Sequence, residues 1–143
     1  MLKAAAPGVR IIGIDPGSRY TGFGVIDIVG RSERYVGCGR INSMAGSMAE
    51  RLNLIFTRLG EVIHEYRPDE AALEETFVNR VNAASALVLG QARGVAFCAL
   101  GVKGLTVAEY SASQVKQAVT GSGRADKAQI QQMVCLLLKL EAA

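Results

Sequence analysis

Histidine and cysteine are scarce: His64 is the only histidine, and Cys38, Cys98 and Cys135 are the only thiols in 143 residues. The cysteines are odd in number, far apart and in no metal-ligand pattern. They argue against a disulfide framework and read as reduced, mostly buried thiols of a cytoplasmic protein. His64 has no partner at catalytic or metal-binding spacing and is expected on a helix surface. Charge is also sparse, with 20% charged against 50% hydrophobic residues, which excludes a disordered tail. A net charge of +3 permits a nucleic-acid partner without arguing for one. No apolar run reads as long enough to span a membrane, and MLKAAAPGVR is too short and too polar for a signal peptide. With no repeat and no linker, residues 1–143 read as one domain, of which 1–9 form an N-terminal tail.

What is present is organised around IIGIDPGSRYTGFGVID, from Ile11 to Asp27. Ile11, Ile12 and Ile14 suit a strand buried on both faces. Asp15 ends that strand, Pro16-Gly17-Ser18 turns the chain, and Gly22 to Ile26 starts a second strand, giving a hairpin. A carboxylate at the mouth of a hairpin, beside backbone that glycines leave uncovered, suits a metal ion or a phosphate. The same Asp-Pro-Gly is also ordinary turn chemistry, with Asp15 as its cap.

Downstream, Gly30-Arg31-Ser32 reads as a turn and Tyr35 to Ile41 as a third strand. Ser47 with Glu50 forms a capping box. Leu52, Ile55, Leu59, Val62 and Ile63 then recur at helical spacing up to a stop before Pro68. Ala71 to Leu73 is a short fourth strand that also ends in acid, Glu74, followed by Glu75. A polar loop with Phe77 leads to a helix from Ala83 to Ala99. Its Ala86, Gly90, Gly94 and Cys98 recur every fourth residue as a flat stripe. That stripe suits a close helix–helix contact, within the chain or across a dimer, or a face laid on the sheet. Leu105 to Ala108 is a fifth strand, Ser111 and Gln114 cap a short helix bearing Lys116, and Gly121-Ser-Gly123 breaks it. A last helix starts near Arg124 or Asp126, with Ile130, Met133, Val134, Leu137 and Leu140 expected inward.

Two strands therefore finish in carboxylates, Asp15 and Glu74. If they are neighbours ending at one sheet edge, they share reach of an ion. Hard cations such as Mg²⁺ take oxygen ligands and share them with phosphates, and acid-held ion pairs hydrolyse phosphodiesters. Lys116 and Lys127 suit a nucleic-acid backbone or a solvated face, and Phe77 a base platform or the core.

The blocks IGIDPGSRYTGFGVID, LEETF, SALVLGQARGVA and YSASQVKQAVTGSGRADKAQIQQMV resemble, in order and spacing, the RuvC family of bacterial Holliday-junction resolvases, from about Arg10 to Leu140. The resemblance implies an RNase H-like fold, here a mixed five-stranded α/β sheet flanked by helices. It implies a homodimer that makes paired symmetric nicks in four-way DNA junctions with Mg²⁺ or Mn²⁺, and a branch-migration helicase as partner. By position, Asp15 and Glu74 match the family's metal-binding acids, Phe77 its base-engaging aromatic, and Lys116 and Lys127 its DNA-contacting lysines. The helix from Ala83 to Ala99 matches the one that pairs subunits. The family continues past LLLKL into a helix beginning Asp-x-x-Asp or Asp-x-x-His, whereas this sequence ends at Ala143. The expectation is a missing final helix, two missing metal-binding positions, weak metal affinity and an uncovered apolar sheet face. Two other readings stand beside the nuclease: a dimeric junction-binding module without cleavage, and an actin-like or sugar-kinase-like ATPase domain. The last is disfavoured by short length and the lack of a second phosphate-binding hairpin.

Overall fold

The computed structural model describes residues 8–75 and 82–141. Among them, β1 (Val9–Asp15), β2 (Tyr20–Val29), β3 (Ser32–Asn42), β4 (Glu70–Glu74) and β5 (Thr106–Tyr110) form one sheet in the order β3-β2-β1-β4-β5. The helices are α1 (Met48–Tyr66), α2 (Ala83–Val102), α3 (Ala112–Thr120) and α4 (Lys127–Leu138). β1 pairs antiparallel with β2 and parallel with β4, and β5 is parallel to β4, so the sheet is mixed as expected.

β1 lies at the centre because its isoleucines alternate into the core, with Ile12 and Ile14 buried against Val25 of β2. α1 covers that face with Ile55, Leu59 and Ile63, a stripe at helical period. Its capping box is present, and Arg67, in the left-handed region at φ 49°, ends it before Pro68.

The start of β1 is stapled to the end of β2 and to the approach to β4, at the end of the sheet away from Asp15. Arg10 donates Nε and Nη2 to the Asp27 carboxylate at 2.7 and 2.9 Å, and Nη1 to the Tyr66 carbonyl at 2.8 Å. Its backbone N–H reaches Asp69 Oδ2 at 2.8 Å, and the Asp69 N–H returns to the Arg10 carbonyl at 2.8 Å. This fork holds the Asp27 carboxyl below the usual carboxylate range. It also fixes the β1–β4 register at its origin, and so the relative height of the two strand ends.

α2 corrects one reading of the small-residue stripe. Ala92, Ala96, Ala99 and Leu100 are its buried face, packed in the core with α1, while Gly90, Gly94 and Cys98 are exposed and Ala86 is half-buried. The stripe therefore does not lie against the sheet. Alanines do that work because a methyl group packs closely and still removes apolar surface from water. By length and composition α2 is apolar enough to cross a membrane, contrary to the sequence expectation. Here it is a packed layer of the domain, and Arg93 in its middle is tied to the sheet.

The cysteines are not the buried thiols expected. Cys38 and Cys98 are exposed and Cys135 is half-buried, because the first lies on the outer strand β3 and the second on the open stripe of α2. His64 is exposed on α1, as expected. In α4, Ile130, Met133 and Val134 are only half-buried and Leu137 is 46% exposed. α4 packs on α3 and touches β3 rather than entering the core, so no residue in it is fully buried.

The sheet face away from α1 is open near Asp15 and apolar farther along the strands. Strand alternation places Gly13, Gly22, Gly24 and Ala72 on it, opposite in sense to buried Ile12, Ile14, Val25, Ala71 and Leu73. These small residues leave bare backbone beside Asp15, while half-buried Ile11, Ile26 and Ile28 and exposed Val9 keep the far end of the same face apolar.

Candidate active site

β1 and β4 run parallel, and their last pair in register is Ile14 with Leu73. The next residue of each strand is Asp15 and Glu74, so the two acids come to the same sheet edge on the same face. The sequence expectation for this pair rested on both strands ending in acid, and the parallel pairing supplies the rest.

Asp15 and Glu74 lie on a cleft of about 460 Å³ floored by Gly13, Gly22, Gly24 and Ala72 and walled by Tyr110 and Val115. Gly22 stands opposite Asp15 in the β1–β2 ladder, and Tyr110 stands beside Glu74 in the β4–β5 ladder. A Cβ at Gly22 or Gly24 would meet nothing within 4 Å, so the floor is open rather than covered by neighbours. Glycine here leaves room for close approach to the sheet backbone.

Asp15 is exposed and Glu74 half-buried, yet both carboxyls are pushed above their ordinary range. For Asp15 the cause is loss of water to the surrounding protein. For Glu74 the same desolvation comes first and repulsion from Asp15 second, while Lys116 on α3 pulls the other way. Neither carboxylate accepts a hydrogen bond among the described residues. Two desolvated acids on one face, with no hydrogen-bond donor to either carboxylate, fit a divalent cation. No cluster of three or more potential metal ligands occurs among the described residues, and the acids of the candidate site are Asp15 and Glu74.

The remaining predicted residues divide. Lys116 is half-buried on α3 and close enough to Glu74 for its charge to be felt. Lys127 opens α4, exposed, and does not line the cleft. Phe77 lies outside the described residues. Asp126 is committed to capping α4, its carboxylate accepting from the Gln129 N–H at 2.8 Å, which leaves it a poor substitute for a third acid.

The structure also places residues that the sequence reading passed over. Arg93 of α2 donates Nη1 to the Glu74 carbonyl at 2.6 Å and forms an ion pair with Glu109 of β5. A lone cation in the middle of an apolar helix was the available signal. Arg51 of α1 donates to the Ser43 carbonyl and, at 2.7 Å, to the Ser18 carbonyl, which pins the turn after Asp15 to the end of β3. Tyr110 closes the row Gly22, Asp15, Glu74, Tyr110 across the sheet. Its position follows from β5 running to Tyr110 instead of stopping at Ala108.

Comparison with known proteins gives a consistent result. The family model for crossover junction endodeoxyribonuclease RuvC matches residues 11–143. The chain is 53% identical over 133 residues to a protein of that name from Shewanella piezotolerans, spanning 93% of this chain and 76% of the relative. It is 55% identical over 132 residues to the one from Chromobacterium violaceum, spanning 92% and 74% respectively. Among solved structures it resembles Thermus thermophilus RuvC in complex with a Holliday junction substrate, with a TM-score of 0.87 and 34% identity. That match covers 94% of this chain and 82% of the other.

Proposed function

The chain belongs to the crossover junction endodeoxyribonuclease RuvC family, and from that premise we propose that it cuts four-way DNA junctions by metal-dependent phosphodiester hydrolysis. The observation that carries the chemistry is the parallel register that sets Asp15 beside Glu74 on an open, glycine-floored edge.

Asp15 and Glu74 would hold the divalent ion, Mg²⁺ or Mn²⁺, since a cation between them would offset the desolvation that raises both carboxyls and the repulsion that Glu74 feels from Asp15. When bound, such ions supply Lewis-acid activation of water and stabilisation of the leaving oxygen. The bare backbone at Gly13, Gly22 and Gly24 lets a DNA strand lie close to the two acids. Lys116, whose charge already reaches Glu74, offsets the negative potential that would otherwise repel a phosphate. Lys127 contacts the backbone farther out, and Phe77 engages bases at the junction centre. Arg51 and the Arg10 staple keep both strand ends in place from opposite edges.

Paired cuts need two sites. Pairing through the exposed α2 stripe provides them, because Gly90 and Gly94 have nothing near a would-be Cβ and so admit a second backbone closely. The same reading makes the protein cytoplasmic and a branch-migration helicase its working partner.

The test is incubation of the chain with Mg²⁺ on an end-labelled four-way junction, beside a linear duplex of the same sequence. The proposal expects nicks at symmetric positions in opposed strands of the junction alone. Equal nicking of both substrates, or a junction that is bound but never cut, would refute it.

A further inference from the structure

We infer that Arg93 is a positioning residue for Glu74, holding the carboxylate strand end by its backbone so that the pair with Asp15 keeps a fixed spacing. The inference rests on the metal-site reading of Asp15 and Glu74.

Glu74 is the last residue of β4. On one side, the β1–β4 ladder ends one residue earlier, at Ile14 with Leu73. On the other, the Glu75 N–H donates to the Tyr110 carbonyl at 2.7 Å and makes the final strand contact. The Glu74 carbonyl takes its hydrogen bond from a side chain: Arg93 Nη1 donates to it at 2.6 Å. The other Nη of the same guanidinium is ion-paired with Glu109 of β5, the strand that flanks β4. The guanidinium also stacks over the Phe97 ring, 5.1 Å from its centroid, and the Arg93 side chain is only 18% exposed. One fork thus joins α2, the end of β4 and β5, with its plane held by an aromatic face.

This arrangement selects arginine. A planar guanidinium carries two donors at a fixed angle, so one branch can hold a carbonyl while the other holds a carboxylate. An ammonium is a point charge on a flexible stem and reproduces only one of the two contacts in a defined geometry. Arg93 touches neither of the ion-holding oxygens, so it acts through Glu74. Groups that orient metal ligands from behind typically change metal affinity by about 10–100-fold when removed.

The experiment titrates the 143-residue chain with Mn²⁺ alone, following free Mn²⁺ by electron paramagnetic resonance, for wild type, Arg93→Gln, Arg93→Lys and Asp15→Asn. Thermal unfolding and junction binding without metal are measured on the same samples. The expected result is Mn²⁺ affinity about 10-fold weaker in Arg93→Gln, with junction affinity in chelator unchanged within about twofold. Arg93→Lys, which keeps the charge and the stem over Phe97, is expected to be weakened as well, and it decides the matter if Arg93→Gln does not fold. Wild-type Mn²⁺ affinity in a folded Arg93→Lys, or a lowered unfolding temperature without any change in affinity, would overturn the inference. Wild type that binds no Mn²⁺, or binds it equally after Asp15→Asn, would instead sink the metal reading and the inference with it.

Discussion

Gly13 and Gly24 stand opposite each other in the antiparallel β1–β2 ladder, two residue pairs from the row that carries Asp15. A Cβ on Gly24 would have open space around it, and one on Gly13 would come no nearer than 4.0 Å to the Gly24 carbonyl. Packing within the chain therefore does not require glycine at either position, and the free height above the sheet is what the two glycines provide.

Gly24→Val tests that free height. Valine favours strands and removes backbone freedom from the unfolded chain, so the variant should fold and be as stable as wild type or more so. Its side chain fills the cleft floor, so junction cleavage should fall at least about 10-fold, roughly 1.4 kcal/mol in the barrier. Denaturant titration and single-turnover cleavage check the two halves. Unimpaired cleavage would mean that the substrate does not approach the sheet here.

The acid pair predicts a pH dependence. Asp15 and Glu74 are raised in the folded state, so the folded protein keeps their protons to higher pH than the unfolded chain does. Their favourable contribution is fully present below the unfolded carboxylate range, about pH 4, and is lost as pH rises through the raised folded values. Asp15→Asn should therefore gain stability relative to wild type as pH rises from 4 to 7, and Mg²⁺ should stabilise wild type but not the variant. Unfolding midpoints with and without Mg²⁺ across that range check this. Parallel curves for the two proteins would contradict it.

Gly94→Leu addresses the subunit contact. Glycine inside a helix costs about 1 kcal/mol relative to a good helix former, and Gly94 is exposed with nothing near its would-be Cβ. The isolated chain should become slightly more stable. Pairing through the α2 stripe should weaken, read as a shift toward monomer in sedimentation equilibrium. An unchanged dimer would move the interface elsewhere.

Thr21 supplies a prediction about stability alone. Its hydroxyl is fully buried and finds no hydrogen-bond partner among the described residues. Thr21→Val keeps the shape and removes an unsatisfied polar atom, a change worth about 1 kcal/mol of stabilisation. Urea unfolding is the check, and destabilisation would show that the hydroxyl is satisfied by water.

The parts of this molecule that were legible in the sequence are those set by local chemistry. Ser47 with Glu50, Ser111 with Gln114 and the stop before Pro68 mark helix ends through neighbours a few residues away. The central strand and the meeting of Asp15 with Glu74 were legible because apolar runs ending in acid survive without knowledge of partners. What depended on tertiary contact was not. The Arg93 clamp joins residues 19 and 16 positions away. The two faces of α2 are both built of small residues, so hydropathy could not say which one is buried. The partial exposure of α4 follows from where it docks, which its periodicity does not encode. Lys127 is assigned by resemblance rather than by geometry, and Phe77 lies outside the described residues.

The most direct test of the central claim is a double-mutant cycle at the acid pair. Single-turnover cleavage of a four-way junction in Mg²⁺ is measured for wild type, Asp15→Asn, Glu74→Gln and the double variant. If both carboxylates hold the ions that drive one reaction, either single change should abolish nearly all the activity that the double change abolishes. Losses that multiply independently, or substantial cleavage in Asp15→Asn, would show that the two acids do not share a catalytic metal site.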